Sequence, residues 1–202
     1  GIDSFATLSL YSKENAPESL RITELTVHNV GAFGRGKILD ELFSNACKVA
    51  ETFSRATELG SVFIDSNIDD VFLACNPPSK TFQNTHSFRN AAAAHVLHDS
   101  IGCFLYSSTY PYVGIGVEYL AKSSGKDTAH IDPLLLPLLS TERMRLVSAG
   151  QALSRGEKTR LVSESDVATK YLDVCVRPAW RRTHDTINCS RCWKCERTMA
   201  TL

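Results

Sequence analysis

No apolar run in this chain of 202 residues reaches the roughly 20 residues that a membrane-spanning helix requires. There is no excess of charge either. Lys+Arg and Asp+Glu both number 22, so the formal net charge is zero with His neutral. A protein that chiefly grips phosphate backbones needs a basic surface, so a nucleic-acid partner is disfavoured. One local basic patch, Arg177, Arg181, Arg182 and Lys194, is the exception. Glycine and proline are not enriched, and no repeat or low-complexity tract appears, which argues against linker-like and solenoid chains. What remains is an ordinary globular composition, long enough to bury a substantial core in one domain with a small appendage.

The six histidines (His28, His86, His95, His98, His130 and His184) also lack metal-ligand spacing among themselves. His95 and His98 stand three apart on a predicted helix, without a nearby carboxylate pattern. Most read as surface or hydrogen-bonded side chains, and His86 stands out only because an Arg-Asn pair follows it.

The seven cysteines divide unevenly. Cys47, Cys75 and Cys103 are scattered in apolar surroundings and read as small buried hydrophobes. Cys175, Cys189, Cys192 and Cys195 are spaced x13, x2 and x2. An odd total with one tight cluster fits a reducing, cytoplasmic compartment and a metal better than a disulfide framework. Four thiolates in this order suit tetrahedral zinc, and with no open coordination position the site is structural.

Two periodicities alternate along the chain. Residues 3–13, 37–56, 88–99 and 131–139 read as helices. Residues 20–28, 61–65, 101–107 and 144–148 read as strands. Ser154-Arg-Gly-Glu157 has capping-box spacing and opens a helix through Glu164. Alternation of this kind predicts an α/β fold, a mostly parallel sheet with helices on both faces. The irregular stretches 81–88 and 107–128 are the loops expected to border a site at the carboxyl ends of the strands.

Three short motifs carry chemistry beside the cysteines. Gly1-Ile2-Asp3-Ser4-Phe5 runs into an amphipathic helix, where backbone N–H groups can meet an anion or Asp and Ser can simply cap. Thr85-His86-Ser87-Phe88-Arg89-Asn90 places a guanidinium and an amide at a helix entrance, suited equally to bracing a loop and to binding a carboxylate or phosphate. Leu153-Ser154-Arg155-Gly156-Glu157-Lys158 opens a capped helix whose Arg155 and Lys158 are candidates to face phosphate.

Together these elements resemble the N-type ATP pyrophosphatases, and within that superfamily the cyano-deazaguanine synthases. Gly1 to Phe5 is similar to the second half of the Ser-Gly-Gly-x-Asp-Ser loop that cradles the pyrophosphate end of ATP. Arg89-Asn90 and Leu153 to Glu157 resemble that branch's Arg-Asn pair and its Leu-Thr-Lys-x-Glu segment. The cysteines follow the branch's order, one after the nucleotide domain and then Cys-x-x-Cys-x-x-Cys. The stretch 108–113 is only faintly similar to its substrate loop, and the insertion around 178–185 is distinctive.

The resemblance implies a Rossmann-like nucleotide domain over residues 1–172 and a zinc-binding segment over 173–202. It implies a ligase that passes AMP from ATP to a carboxylate, releases pyrophosphate, and lets ammonia or an amine displace AMP. It implies ATP, Mg²⁺ and Zn²⁺, with Gly1, Asp3 and Ser4 at the pyrophosphate and Asn90 near nucleotide or substrate. Asp3, Ser4 and Arg89 are the expected catalytic residues, Arg89 through contact with a ligand. A homodimer is compatible with it. The chain is then expected to open inside its own loop, with a central strand lying upstream, so that these residues alone are poorly soluble and inactive. The alternatives are a zinc-stapled interaction protein without catalysis and a tRNA-modifying enzyme, which would want a reactive thiol such as Cys75 or Cys103.

Overall fold

The structure is a computed structural model, and it describes residues 1–33, 36–75, 82–114, 127–175 and 188–202. Among these, the chain is mixed α/β. Helix α1 (Ile2–Leu10) opens it, with Asp3 in the first turn, where a negative charge suits the helix dipole. Strand β1 (Glu24–Asn29) leads through the long helix α2 (Lys37–Thr57) to β2 (Gly60–Asp65). The strands pair in parallel from Glu24 opposite Gly60 to Asn29 opposite Asp65, a β-α-β unit. Helix α2 stops where Glu58 takes a left-handed conformation at φ 57°.

Helices α3 (Ile68–Cys75) and α4 (His86–His95) precede β3 (Cys103–Ser107). Strand β3 pairs in parallel with β4 (Arg145–Ala149), and α5 (Asp132–Leu138) lies between them in sequence. Ala91 and Ala94 of α4, Leu136 of α5, Met144 and Leu146 are fully buried together, with Phe104 and Tyr106 of β3 packed on them. Burying such side chains contributes roughly 1.5–3 kcal/mol each for the larger ones.

Helix α6 (Arg155–Ser163) follows β4 through Gly150, at φ +79°. The expected capping box is present in both directions between Ser154 and Glu157. Helix α7 (Asp166–Tyr171) is capped by Ser165, whose hydroxyl accepts from the Ala168 N–H. Ile2 and Ala6 of α1 pack on Val162 of α6 and Ala168 of α7, forming a second core. The short helix α8 (Trp193–Met199) carries the last cysteine.

One point differs from the expected single sheet. The described strands form two separate parallel pairs, β1-β2 and β3-β4. A cleft of about 420 Å³ is bordered by consecutive residues of both β1 and β3, with Asp3, Ser4, Thr7 and Leu8 of α1 along it. All five residues of β3 are only half-buried despite the sequence Cys-Phe-Leu-Tyr-Ser. Helices α3, α7 and α8, of 8, 6 and 7 residues, were not foreseen in the periodicity. The insertion 178–185, the loop 115–126, and Arg177, Arg181, Arg182 and His184 lie outside the described residues.

Candidate functional site

The four C-terminal cysteines meet. The sulfurs of Cys175, Cys189, Cys192 and Cys195 all lie within 4.8 Å of one another, with Cys192 and Cys195 at 3.4 Å and Cys189 and Cys195 at 3.9 Å. None is in a disulfide. Tetrahedral zinc with Zn–S bonds of about 2.3 Å sets its sulfurs about 3.8 Å apart, so the set fits such an ion. Ser190 supports the turn by adopting φ 52°. Backbone N–H groups of Arg191 and Cys192 reach the Cys189 sulfur, and the Arg191 bond holds that thiol below its ordinary range. Burial, then the Cys192 thiol, pushes Cys195 up to about 12. A divalent metal reverses that balance by favouring thiolates. Asn188 ties the site to the rest of the chain: its Nδ2 donates to the Leu172 carbonyl at 2.7 Å, and its Oδ1 accepts from the Val174 N–H at 2.9 Å.

A second cluster joins two motifs 152 residues apart. Arg155 donates from Nη2 to Asp3 Oδ2 at 2.8 Å, and Lys158 Nζ lies 3.5 Å from Asp3 Oδ1. Lys158 is 1% exposed. Its ammonium donates to the Ser108 carbonyl at 2.6 Å and to the Ser108 hydroxyl at 2.9 Å. Burial lowers its pKa, and the Asp3 charge opposes that shift. Gly150 belongs to the same arrangement: a Cβ there would lie 3.6 Å from Lys158 Cε, on a backbone that L side chains rarely adopt. Gly1 caps α1, its carbonyl accepting from the Phe5 N–H at 3.1 Å. Ser4 is exposed and lines the cleft.

Arg89 is 2% exposed and committed to internal partners. Its Nε donates to Thr85 Oγ1 at 2.8 Å, and its Nη1 donates to the Val30 carbonyl at 3.0 Å and to the Asp69 carboxylate. The guanidinium lies over Phe72, 4.5 Å from the ring centre. A Cβ on Gly31 would stand 2.5 Å from Arg89 Nη1, and Gly31 holds φ +108°. These are the contacts of a brace between β1, α3 and α4.

Asn90, next to it, faces the cleft. It belongs to a chain of polar side chains. His28 Nδ1 and Asn90 Oδ1 are 3.2 Å apart, Asn90 Nδ2 reaches the Tyr106 hydroxyl at 3.4 Å, and that hydroxyl lies 2.8 Å from His86 Nδ1. His86 Nε2 is 2.9 Å from Asp127 Oδ1. Burial raises the Tyr106 phenol, so it stays protonated. Burial alone would raise Asp127 as well, but hydrogen bonds from His86, the Ala129 N–H and Tyr110 outweigh it and hold the carboxyl below its ordinary value. Nothing in the sequence marked His28, Tyr106 or Asp127. His86 and Asn90 were visible only through their place beside Arg89.

The scattered thiols are not the buried residues expected: Cys47 and Cys103 are half-buried and Cys75 is exposed. Burial pushes both Cys47 and Cys103 up, disfavouring the nucleophilic thiolate. No helix among the described residues is long and apolar enough to cross a membrane. No family model, curated protein or solved structure matches the chain.

Proposed function

We propose that the protein is an ATP-dependent ligase of the adenylating type, similar in plan to the cyano-deazaguanine synthases. The observation that carries this reading is the meeting of Asp3, Arg155 and Lys158 at the entrances of α1 and α6. Two helix N-termini and two cations gathered on one carboxylate give a positive field at the place where the resemblance puts pyrophosphate. Among the described residues β1 and β3 each pair along one edge only, which leaves room for a further strand of a Rossmann-like sheet between them.

In the proposed reaction a substrate carboxylate oxygen attacks the α-phosphorus of ATP, and the bond from that phosphorus to the bridging oxygen breaks. Pyrophosphate leaves. Arg155 and Lys158 stabilise the charge that develops on it, Lys158 through its field because its own donors are engaged by Ser108. Asp3 is the carboxylate of the cluster that would hold a Mg²⁺ arriving with ATP, and such an ion would supply further charge neutralisation. Ammonia or an amine then attacks the carbonyl carbon, AMP departs with the shared oxygen, and the nitrogen gives up a proton. The cysteine site stands apart from this chemistry and serves the fold.

The test is product analysis of the protein with ATP, ammonia and a panel of carboxylates. AMP and pyrophosphate should form only when the right carboxylate is present, and Asp3→Ala should abolish them. Release of ADP and orthophosphate would place the protein in another class.

A further inference from the structure

Helix α8 has two unlike faces. Cys195 and Thr198 are buried, while Trp193, Glu196 and Arg197 are exposed. Trp193 is 59% exposed, the most exposed aromatic side chain among the described residues. Burying an indole is among the larger apolar gains open to a fold, so one left in water is a candidate contact. Its neighbours are cationic. The Arg197 guanidinium, one turn further on, lies 5.0 Å from the ring centre, and the Lys194 ammonium lies 5.6 Å from it. Arg191, two residues before Trp193, is exposed as well. Between residues 188 and 202 three cations stand against a single acidic side chain, Glu196. The charge balance that disfavours a phosphate-gripping surface is that of the whole chain, and this segment departs from it.

The cysteines hold this group in place. Cys189, Cys192 and Cys195 are buried, and the cations and the indole stand between or just after them in the chain. Ser190 turns the backbone at φ 52°, and the Arg191 N–H is bonded to the Cys189 sulfur. Side chains carried on an anchored backbone lose little freedom when they meet a ligand. An indole with cations at fixed places around it matches a single-stranded nucleic acid. The flat face of an unpaired base stacks on the ring, and the cations meet the phosphates beside it. A paired base hides its faces in the duplex stack. An acidic peptide would use the cations and leave the indole without a role. A bilayer surface wants one continuous apolar face. Met199, the next exposed large apolar side chain, stands six residues along, about 120° round the helix from Trp193.

We propose that the outer face of α8 is a docking surface for a single-stranded nucleic acid. Trp193 is the stacking platform. Arg191 and Arg197 are the phosphate contacts, and the half-buried Lys194 adds its charge beside the ring. Neither the stacking nor the phosphate contacts touch the sugar, so ribose and deoxyribose strands fit alike. The binding needs no ATP chemistry and does not rest on the ligase reading.

The experiment is fluorescence anisotropy of a short end-labelled oligoadenylate titrated with the zinc-loaded protein at low salt. The strand is used with ribose and with deoxyribose, alone and paired with its complement, and inorganic polyphosphate is added as a competitor that carries charge without bases. Both single strands should bind, and more tightly than the duplex. Trp193→Leu keeps an apolar side chain without a π face, and should weaken binding roughly 5- to 150-fold. Trp193→Phe should retain most of it. Zinc content and melting temperature should match wild type in both variants, since the side chain is on the surface. Arg197→Gln should lower the slope of log affinity against log salt by about 0.7. No binding at low salt overturns the proposal, as does wild-type affinity in Trp193→Leu. Polyphosphate or duplex competing equally, phosphate for phosphate, would show a surface that reads charge alone and overturns it too, as does binding confined to one sugar. ATP is absent throughout, so the outcome and that of the ligase assay are independent.

Discussion

Two side chains, both drawn fully inside, make separable predictions at the residue scale. Arg89 holds Thr85, Val30 and Asp69 in a fork that an ammonium cannot reproduce. Arg89→Lys should therefore cost stability, on the order of 2 kcal/mol, because buried acceptors lose their donors. A thermal melt unchanged from wild type, with activity lost, would restore the ligand-binding role that its place in the sequence suggested. Asp132 is 1% exposed, accepts from the Ser87 hydroxyl at 2.5 Å, and leaves its second oxygen without a hydrogen bond. Burial raises its pKa from 3.8 to about 6, with the Ser87 bond opposing. The folded state therefore holds this proton more tightly than the unfolded chain does. The stabilisation is complete below the ordinary value and is lost as pH rises from 3.8 through about 6. Asp132→Asn removes the charge at similar size. It should flatten the fall in melting temperature across that window and leave the variant more stable at neutral pH by about 1–3 kcal/mol. Melts over a pH series, with equal slopes in the two proteins, would show the assignment to be wrong.

At the scale of elements, the start of α6 does two jobs with one sequence. Ser154 and Glu157 close the capping box, and the same first turn projects Arg155 and Lys158 toward Asp3. Ser154→Ala should lower stability by about 1 kcal/mol. It should also weaken the Arg155–Asp3 pair, so that Arg155→Met costs less in the Ser154→Ala background than in wild type. A double-mutant cycle with additive losses would separate the two jobs. The box was legible in the chain because its partners are local, three residues apart. So were α2, whose apolar face repeats over 21 residues, and the four strands, each within four residues of its expected start. The link from Arg155 to Asp3 was not legible, since no local pattern encodes which helix start meets which. The same holds for His28: an imidazole in an alternating strand looks like any half-buried polar residue until Asn90 is seen opposite it. Periodicity likewise gave parallel strands but could not say that the described ones fall into two pairs with a cleft between them.

Across the whole molecule, the cores are linked unequally to the cysteine site. Val174 packs both on the cysteines and on the cluster of Ile2, Ala6, Val162 and Ala168, and Leu172, whose carbonyl is held by Asn188, joins that cluster too. The core around Leu136, Met144 and Leu146 shares no residue with either. A metal held by Cys175, Cys189, Cys192 and Cys195 would contribute apparent binding energy on the order of 10 kcal/mol, and much of it is folding energy for the segment it closes. Without it, four thiols remain crowded within 4.8 Å, with Asn188 hydrogen-bonded to Leu172 and Val174 and Val174 packed against them. Loss of metal should therefore spread in a fixed order. The segments 172–175 and 188–199 loosen first, the contact of α1 with α6 and α7 follows, and β3, β4 and α5 hold. Hydrogen exchange after treatment with a strong chelator reads this directly. Protection should fall in 172–175 and 188–199, fall less in 2–10 and 155–171, and stay at the untreated level in 103–107 and 145–149. Cys192→Ser should reproduce the pattern without chelator, and added zinc should restore the wild-type protein but not the variant. Elemental analysis finding no zinc in protein purified without added metal would remove the cause. Uniform loss of protection along the chain would instead show that the cysteine site and the sheet fold as one unit, and that the independence read from the packing does not hold.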